Sequence, residues 1–312
     1  FIFVYFFSLI AYIASYLIKS KKNNICKKYD GGISIVVCIR NGEKSVRNLI
    51  NDLKTQLFNG ALEFIIVDDE STDNTSKIIR KEIKGDNRFK YISTENYKSN
   101  LKYKKRALKK GISVSKYEWL LFTDVDCRFG ANWVESMSLN FSNCDYLVGF
   151  SLVKTNKTLI SYFQNLDYKM LMFATNAAIL LSTPLASSGQ NQSFKRSLFD
   201  SIGGYNKIAT LLQGDDSIFL QICNKIKSLK VNFSINENSF VYAKTHSSWK
   251  QFLLQRIRWA GDANIMWKFN KLFYLVIIST FISNFYVIFY FFHYLVTKNI
   301  SSHFIFILSI KL

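Results

Sequence analysis

Proline is almost missing from this 312-residue chain: Pro184 is its single example, and no proline-rich or glycine-serine linker interrupts the sequence. Without such a break, and without an internal repeat, the middle of the chain reads as one continuous folded segment. Cysteine is scarce too. Cys26, Cys38, Cys127, Cys144 and Cys223 show neither metal-ligand nor disulfide-framework spacing. That excludes a zinc module and a disulfide-stapled fold, and it fits a reducing compartment. Acidic residues are outnumbered, 22 Asp and Glu against 41 Lys and Arg, which leaves a net charge of +19. Such an excess points to nucleic acid, or to anionic lipid together with a phosphate-bearing ligand. No basic recognition helix, zinc motif or RNA-binding motif is present, so nucleic acid is not expected as a partner.

What the chain has in quantity is apolar surface, with 28 Phe and 17 Tyr, much of it at the two ends. Residues 1–18 carry no charge, and as a helix they would span roughly 27 Å, close to the thickness of a hydrocarbon core. A signal peptide would need a basic leading region and a small-residue cleavage site, and neither is seen. Lys19, Lys21, Lys22, Lys27 and Lys28 follow directly. By the positive-inside rule that end faces the cytoplasm. A second span is expected over 272–296, entered from the same side after Lys268 and Lys271. Residues 304–312 read as the start of a third. The chain begins at Phe1 and stops in an apolar run, so it is expected to be a piece of a longer protein. The shorter apolar run 170–181 is expected to be a buried or interfacial helix rather than a span.

Between the spans, residues 30–247 alternate between strand and helix signals. Short β-branched or aromatic runs at 33–38, 64–67, 89–92 and 119–123 predict buried strands. Helices are expected at 43–57, 75–83 and 104–114. This order implies an α/β fold, Rossmann-like, with a mostly parallel sheet and helices on both faces. Ligands then bind at the carboxyl ends of the strands. Two strands end there in acidic pairs, Asp68-Asp69 and Asp124-Val125-Asp126. One such pair can be a turn or a helix cap. Two at one sheet edge repel unless a cation or a donor-rich ligand joins them. In an extended stretch Asp124 and Asp126 share a side, which suits Mg²⁺ or Mn²⁺ with positions left for phosphate oxygens. In Gly214-Asp215-Asp216 one aspartate can cap the following helix and leave the other as a general base. Residues 248–268 read as an interfacial amphipathic helix. Gln255, Arg258 and Trp259 lie on one face of it, able either to hold a phosphate and a sugar ring or only to anchor the helix at a bilayer.

Together these segments resemble the family 2 glycosyltransferases, the group that contains the cellulose, hyaluronan and poly-N-acetylglucosamine synthases. The residues that carry the resemblance are residues 34–41 as opening strand, residues 66–73 as nucleoside turn, and Lys104 with Ala107-Leu108. Thr123-Asp124-Val125-Asp126, Gly189-Gln190-Asn191 through Gly203-Gly204-Tyr205, Gly214-Asp215-Asp216 and Gln255-Arg256-Ile257-Arg258-Trp259 complete it. Departures are Glu70 where glycine is usual, Gly-Asp-Asp where Glu-Asp is commoner, and Gln190 and Asn191 where small residues are frequent. The resemblance implies a GT-A-type fold and inverting transfer from a nucleotide-diphosphate sugar, UDP-linked by expectation. It implies Asp216 as catalytic base. Arg40, Glu43, Asp68, Asp69, Lys104, Asp124 and Arg258 would bind the nucleotide sugar, and Asp124 with Asp126 a Mg²⁺ or Mn²⁺ ion. Gln190, Gln255 and Trp259 would face a lipid-linked or glycan acceptor at the lipid bilayer. A polymerising synthase, a single-sugar transferase to a lipid carrier and a catalytically silent membrane scaffold are the competing readings.

Overall fold

The computed structural model describes residues 29–300 continuously, with residues 10, 11, 13, 14, 17, 302, 304 and 305; for 262–264 only the backbone is described. The spans expected over 1–18 and 304–312 therefore lie, isolated positions apart, outside the described residues.

β1 (Ile33–Ile39), α1 (Val46–Lys54), β2 (Leu62–Asp68), α2 (Thr75–Glu82), β3 (Phe89–Ser93), α3 (Lys104–Val114) and β4 (Trp119–Phe122) alternate along the chain. β1 and β2 are nearly continuous β-branched runs because both of their faces are covered, as in a parallel sheet. Ile35, Val36, Val37, Phe64, Ile65, Ile66, Leu120 and Leu121 are all fully buried. Each such side chain contributes about 1.5–3 kcal/mol relative to exposure. α3 lies close against this layer because of Gly111. A Cβ there would come within 2.6 Å of Val36 Cγ1 and 2.9 Å of Val67 Cγ2.

The helix expected from residue 43 starts at Val46. Residues 41–45 form a tight turn instead, with Asn41 at φ 54° and the Ser45 and Val46 amides both on the Gly42 carbonyl.

The second half of the chain adds β5 (Arg128–Phe129), α4 (Trp133–Ser138), β6 (Tyr146–Gly149), β7 (Ser151–Val153), α5 (Leu159–Leu180), β8 (Gln192–Lys195), α6 (Arg196–Ser201), α7 (Ser217–Cys223), β9 (Val231–Ser234) and β10 (Val241–Ala243). The main sheet runs β3-β2-β1-β4-β8-β6-β9. Its strands are parallel except β8, which pairs antiparallel with both β4 and β6. A smaller sheet, β5-β10-β7, was not foreseen in the sequence. The apolar run 170–181 proves to be the second half of α5. One face of α5, with Ile160, Gln164, Tyr168 and Met172, is buried. Leu159, Tyr162, Leu166, Met170 and Phe173 form an exposed apolar stripe at helical spacing on another.

The chain separates into two compact units. Asn23–Ile257 holds both sheets, and Arg258 onward belongs to the other. α8 (Trp249–Met266) runs across the boundary, and α9 (Lys271–Thr297) follows. Asn270 caps α9, its Oδ1 accepting from the Phe273 amide at 2.9 Å. At about 1.5 Å per residue α9 is roughly 40 Å long. Among the described residues it is the one helix long and apolar enough to cross a membrane.

Candidate active site

The carboxyl ends of β1, β2 and β4 open on one cavity of about 690 Å³. The loops after β1 and β2 are stitched together. Asn41 Oδ1 accepts from the Thr72 amide at 2.8 Å, the Gly42 amide donates to Thr75 Oγ1 at 2.8 Å, and Glu43 Oε2 accepts from the Asn74 amide at 3.1 Å. Glu70, where glycine is usual, takes φ 56°, so the turn keeps the left-handed geometry despite the side chain. Asp68 is buried, with Oδ1 on the Ser71 amide at 3.1 Å and Oδ2 accepting from the Tyr91 hydroxyl at 2.8 Å. It does not line the cavity, whereas Arg40, Glu43 and Asp69 do. Asp69 Oδ1 accepts from Thr94 Oγ1 at 2.8 Å and from Arg106 Nη2 at 2.9 Å. Arg106 also pairs with Glu70 at 2.9 Å. Sequence reading missed Arg106. Its signal was its place two residues after Lys104 on the same helix.

Lys104 lies at the centre. Its Nζ is 2.8 Å from Asp124 Oδ1 and 3.1 Å from Asp215 Oδ2, so one ammonium joins the ends of β4 and the loop before α7. Burial would lower its pKa, but Asp124 and Asp215 outweigh burial and hold it well above the ordinary value. Gly214 at φ 103° turns the chain into this position, a conformation a side chain would strain. Asp216 caps α7, with Oδ1 on the Ser217 amide, while Oδ2 accepts from the Gly189 amide at 3.2 Å. A Cβ on Gly189 would stand 3.5 Å from both Lys104 Nζ and Asp216 Oδ2, and 3.6 Å from Asp215 Oδ2. Three charged groups thus converge on one point of backbone. Burial, and then the Asp215 charge, push the Asp216 carboxyl up to about 7 against the two amide donors and Lys104. Asp215 therefore holds the lysine, while Asp216 caps α7 and keeps a carboxyl that burial and Asp215 make harder to ionise.

Asp126 stands open at the cavity. Its pKa is raised by the crowding of surrounding protein and then by Asp124, with Lys244 and Lys104 opposing. It makes no ion pair among the described residues. No cluster of three or more metal-ligating side chains is found among those residues either. Asp124 shares the Lys104 ammonium with Asp215, so Asp126 beside it adds negative charge that Lys104 does not balance. This donor set fits a hard divalent cation that takes its remaining ligands from phosphate and water.

On the other side, the Tyr168 side chain of α5 is buried beside Gln190 and Gln255, and burial pushes its pKa up to about 12. Next to them Arg256 pairs with Asp167 of α5. Asn191 accepts from Trp133 Nε1 at 3.1 Å and donates to the Phe150 and Ser239 carbonyls. Nothing in the sequence pattern singled out Tyr168. Arg258 and Trp259 follow on α8 in the second unit.

A seven-stranded, mostly parallel sheet with acidic strand ends and helices on its faces is a GT-A-like α/β fold. The sequence matches the profile of glycosyl transferase family 2 over residues 34–203, more than half of its length, and the chain belongs to that family. It is 23% identical over 254 residues to the probable glycosyltransferase YdaM of Bacillus subtilis, covering 78% of this chain and 58% of the relative. It is 30% identical over 135 residues to the putative glycosyltransferase EpsH of the same organism, covering 41% and 37%. The chain thus spans well under two thirds of the length of these relatives. Among solved structures, the mannosyltransferase PcManGT of Pyrobaculum calidifontis, in complex with GDP-Man and Mn²⁺, superposes with a TM-score of 0.58 at 15% identity. That match covers 89% of this chain and 80% of the other. Glucosyl-3-phosphoglycerate synthase of Mycobacterium tuberculosis, with Mn²⁺, UDP-glucose and phosphoglyceric acid, reaches 0.50 at 17% identity, covering 75% and 78%.

Proposed function

We propose that this chain is an inverting glycosyltransferase that moves a sugar from a nucleoside diphosphate donor to an acceptor hydroxyl at a membrane. The observation that carries the proposal is the convergence of Lys104, Asp215 and Asp216 on Gly189, with Asp124 held by the same lysine at the floor of the large cavity. The cavity takes the nucleotide, with Arg40, Glu43 and Asp69 at its nucleoside end; Asp68 supports the turn from behind. Asp216 accepts the proton of the acceptor hydroxyl as that oxygen attacks the anomeric carbon. The bond to the diphosphate breaks on the opposite face, and its electron pair leaves with the nucleoside diphosphate. Lys104, kept charged by its two aspartates, faces the phosphates. Gln190 and Gln255 border the acceptor. A Mg²⁺ or Mn²⁺ ion held by Asp124 and Asp126 would supply charge neutralisation at the diphosphate. The known ligands of the similar solved structures, GDP-Man and UDP-glucose with Mn²⁺, support this reading.

Membrane attachment draws support from α9 and from the exposed stripe on α5. The first unit then lies on the cytoplasmic side, where nucleotide sugars are made, and the acceptor is lipid-linked or a growing glycan. The Gln-x-x-Arg-Trp run favours a polymerising synthase over a single-sugar transferase to a lipid carrier. The test is release of nucleoside diphosphate from a panel of UDP- and GDP-sugars by the purified chain in detergent. Turnover of at least one donor, stopped by chelator and restored by Mn²⁺ or Mg²⁺, is expected. No turnover of any donor would sink the proposal, and full activity in excess chelator would remove the metal from it.

A further inference from the structure

Beside the large cavity lies a second, of about 270 Å³, which the mechanism does not use. Ser45, Val125, Asp126 and Lys244 line both and form the shared wall. The three-stranded sheet builds the rest. Arg128 of β5 stands opposite Tyr242 of β10 in antiparallel register. β10 runs parallel to β7, with Ala243 opposite Val153, so Lys244 and Lys154 leave neighbouring strand ends side by side. Thr245 ties those ends together, its Oγ1 donating to the Lys154 carbonyl at 2.7 Å. Lys154 Nζ rides 5.0 Å from the centroid of the Tyr242 ring, which also lines the cavity.

The charges do not balance. Arg128 is already satisfied by Asp52, which it grips at 2.6 and 2.8 Å. Lys154 and Lys244 make no ion pair among the described residues, and Asp126 is the only carboxylate in the lining. Two like charges held at adjacent strand ends repel, and an anion between them removes that cost. The space is too small for a nucleotide sugar but takes a phosphate or a carboxylate with a few atoms around it. Lys154 does not reach the larger cavity, so an anion on it sits across the shared wall from the donor.

We propose that this second cavity is an acceptor subsite for an oxyanion, a phosphate or carboxylate carried by the acceptor a few bonds from its attacking hydroxyl. The subsite rests on the transferase reading above. It selects acceptors by charge and leaves the transfer step as already written, with the proton passing to Asp216 and the oxyanion unchanged.

The experiment uses the full chain in detergent and acceptor pairs of which one member carries an anion and the other does not. Glycerol 3-phosphate against glycerol probes a free phosphate, polyprenyl diphosphate N-acetylglucosamine against octyl N-acetylglucosaminide a lipid-borne one, and hyaluronan against chitin oligosaccharides a carboxylate. In at least one pair the anionic member is the better acceptor. Lys154→Gln raises the KM of that member roughly tenfold or more, as expected for loss of one charge-assisted contact, while Lys154→Arg keeps it near wild type. The KM of the neutral member and of the donor move by less than about twofold, within the spread expected of an exposed substitution. Lys154 is exposed, so folding is not at stake. Equal use of both members of every pair overturns the subsite. A rise in donor KM in Lys154→Gln also overturns it and assigns the cavity to the diphosphate. If the wild-type chain releases no nucleoside diphosphate at all, the transferase reading falls first and the subsite with it.

Discussion

On the proposed mechanism Asp216 would both cap α7 and take the proton of the acceptor hydroxyl. Capping fixes its carboxylate, while burial and Asp215 raise its pKa into the range where a base both holds and yields a proton at neutral pH. Asp216→Asn should lower transfer by about 10² to 10⁴ while donor binding persists. In the wild type, kcat/KM should climb with pH through an acid limb near 7, set by this carboxyl. A limb near 4, the ordinary carboxylate value, would show that another group is the base. The same shift bears on stability. The folded pKa lies above that of the unfolded chain, so the folded state binds the extra proton. Its stabilising effect is full below about pH 4 and is lost as pH rises through the folded value. Measured without divalent cation, Asp216→Asn should therefore melt above wild type at pH 8, with the gap closing at pH 5. A lower melting temperature at pH 8 would mean that the charged carboxylate stabilises the fold.

At the scale of elements, α3 controls the site, since it carries both Lys104 and Arg106 and rests on β1 and β2 at Gly111. Alanine would favour the helix by up to about 1 kcal/mol. Its Cβ would meet two buried valines at under 3.0 Å, and overpacking of a core costs about 1–3 kcal/mol, so packing wins. Gly111→Ala should lower the midpoint of denaturant unfolding and reduce turnover, because any shift of α3 loosens the Lys104 bridge. An unchanged midpoint would show that the sheet yields there at no cost. α5 has a different division of labour. Tyr168 faces inward to Gln190 and Gln255, and Leu166 and Met170 face out. On the membrane reading, a spin label at position 166 of the full chain in vesicles should be more accessible to oxygen than to a water-soluble nickel chelate. The reverse order would place the stripe in water.

For the whole molecule, the basic excess and the apolar ends belong together if the first unit works against the inner face of a bilayer. A single cysteine at exposed Lys81, in a background without other cysteines, should be labelled by an impermeant maleimide in inverted vesicles and protected in right-side-out ones. Labelling from the outside would reverse the topology and separate the site from cytoplasmic nucleotide sugars.

The amino-acid sequence by itself determined the first four strands, the helices between them and the carboxylates at their ends. Strands buried on both faces need long β-branched runs, α3 needs its apolar spacing, and acidic pairs at strand ends are visible as text. Tertiary structure alone decided the rest. β8 enters antiparallel between β4 and β6, and β5, β7 and β10 are only two or three residues long. Segments that short carry no periodicity, so distant partners rather than local pattern select their pairing. The same holds for the site. Lys104 joins Asp124 to Asp215, and Tyr168 lies beside Gln190 and Gln255, across separations that no spacing rule encodes. Which of two adjacent aspartates holds the lysine and which caps α7 depends on where the turn at Gly214 points each side chain. That direction is settled by packing against Gly189 and Lys104, not by the order of the residues.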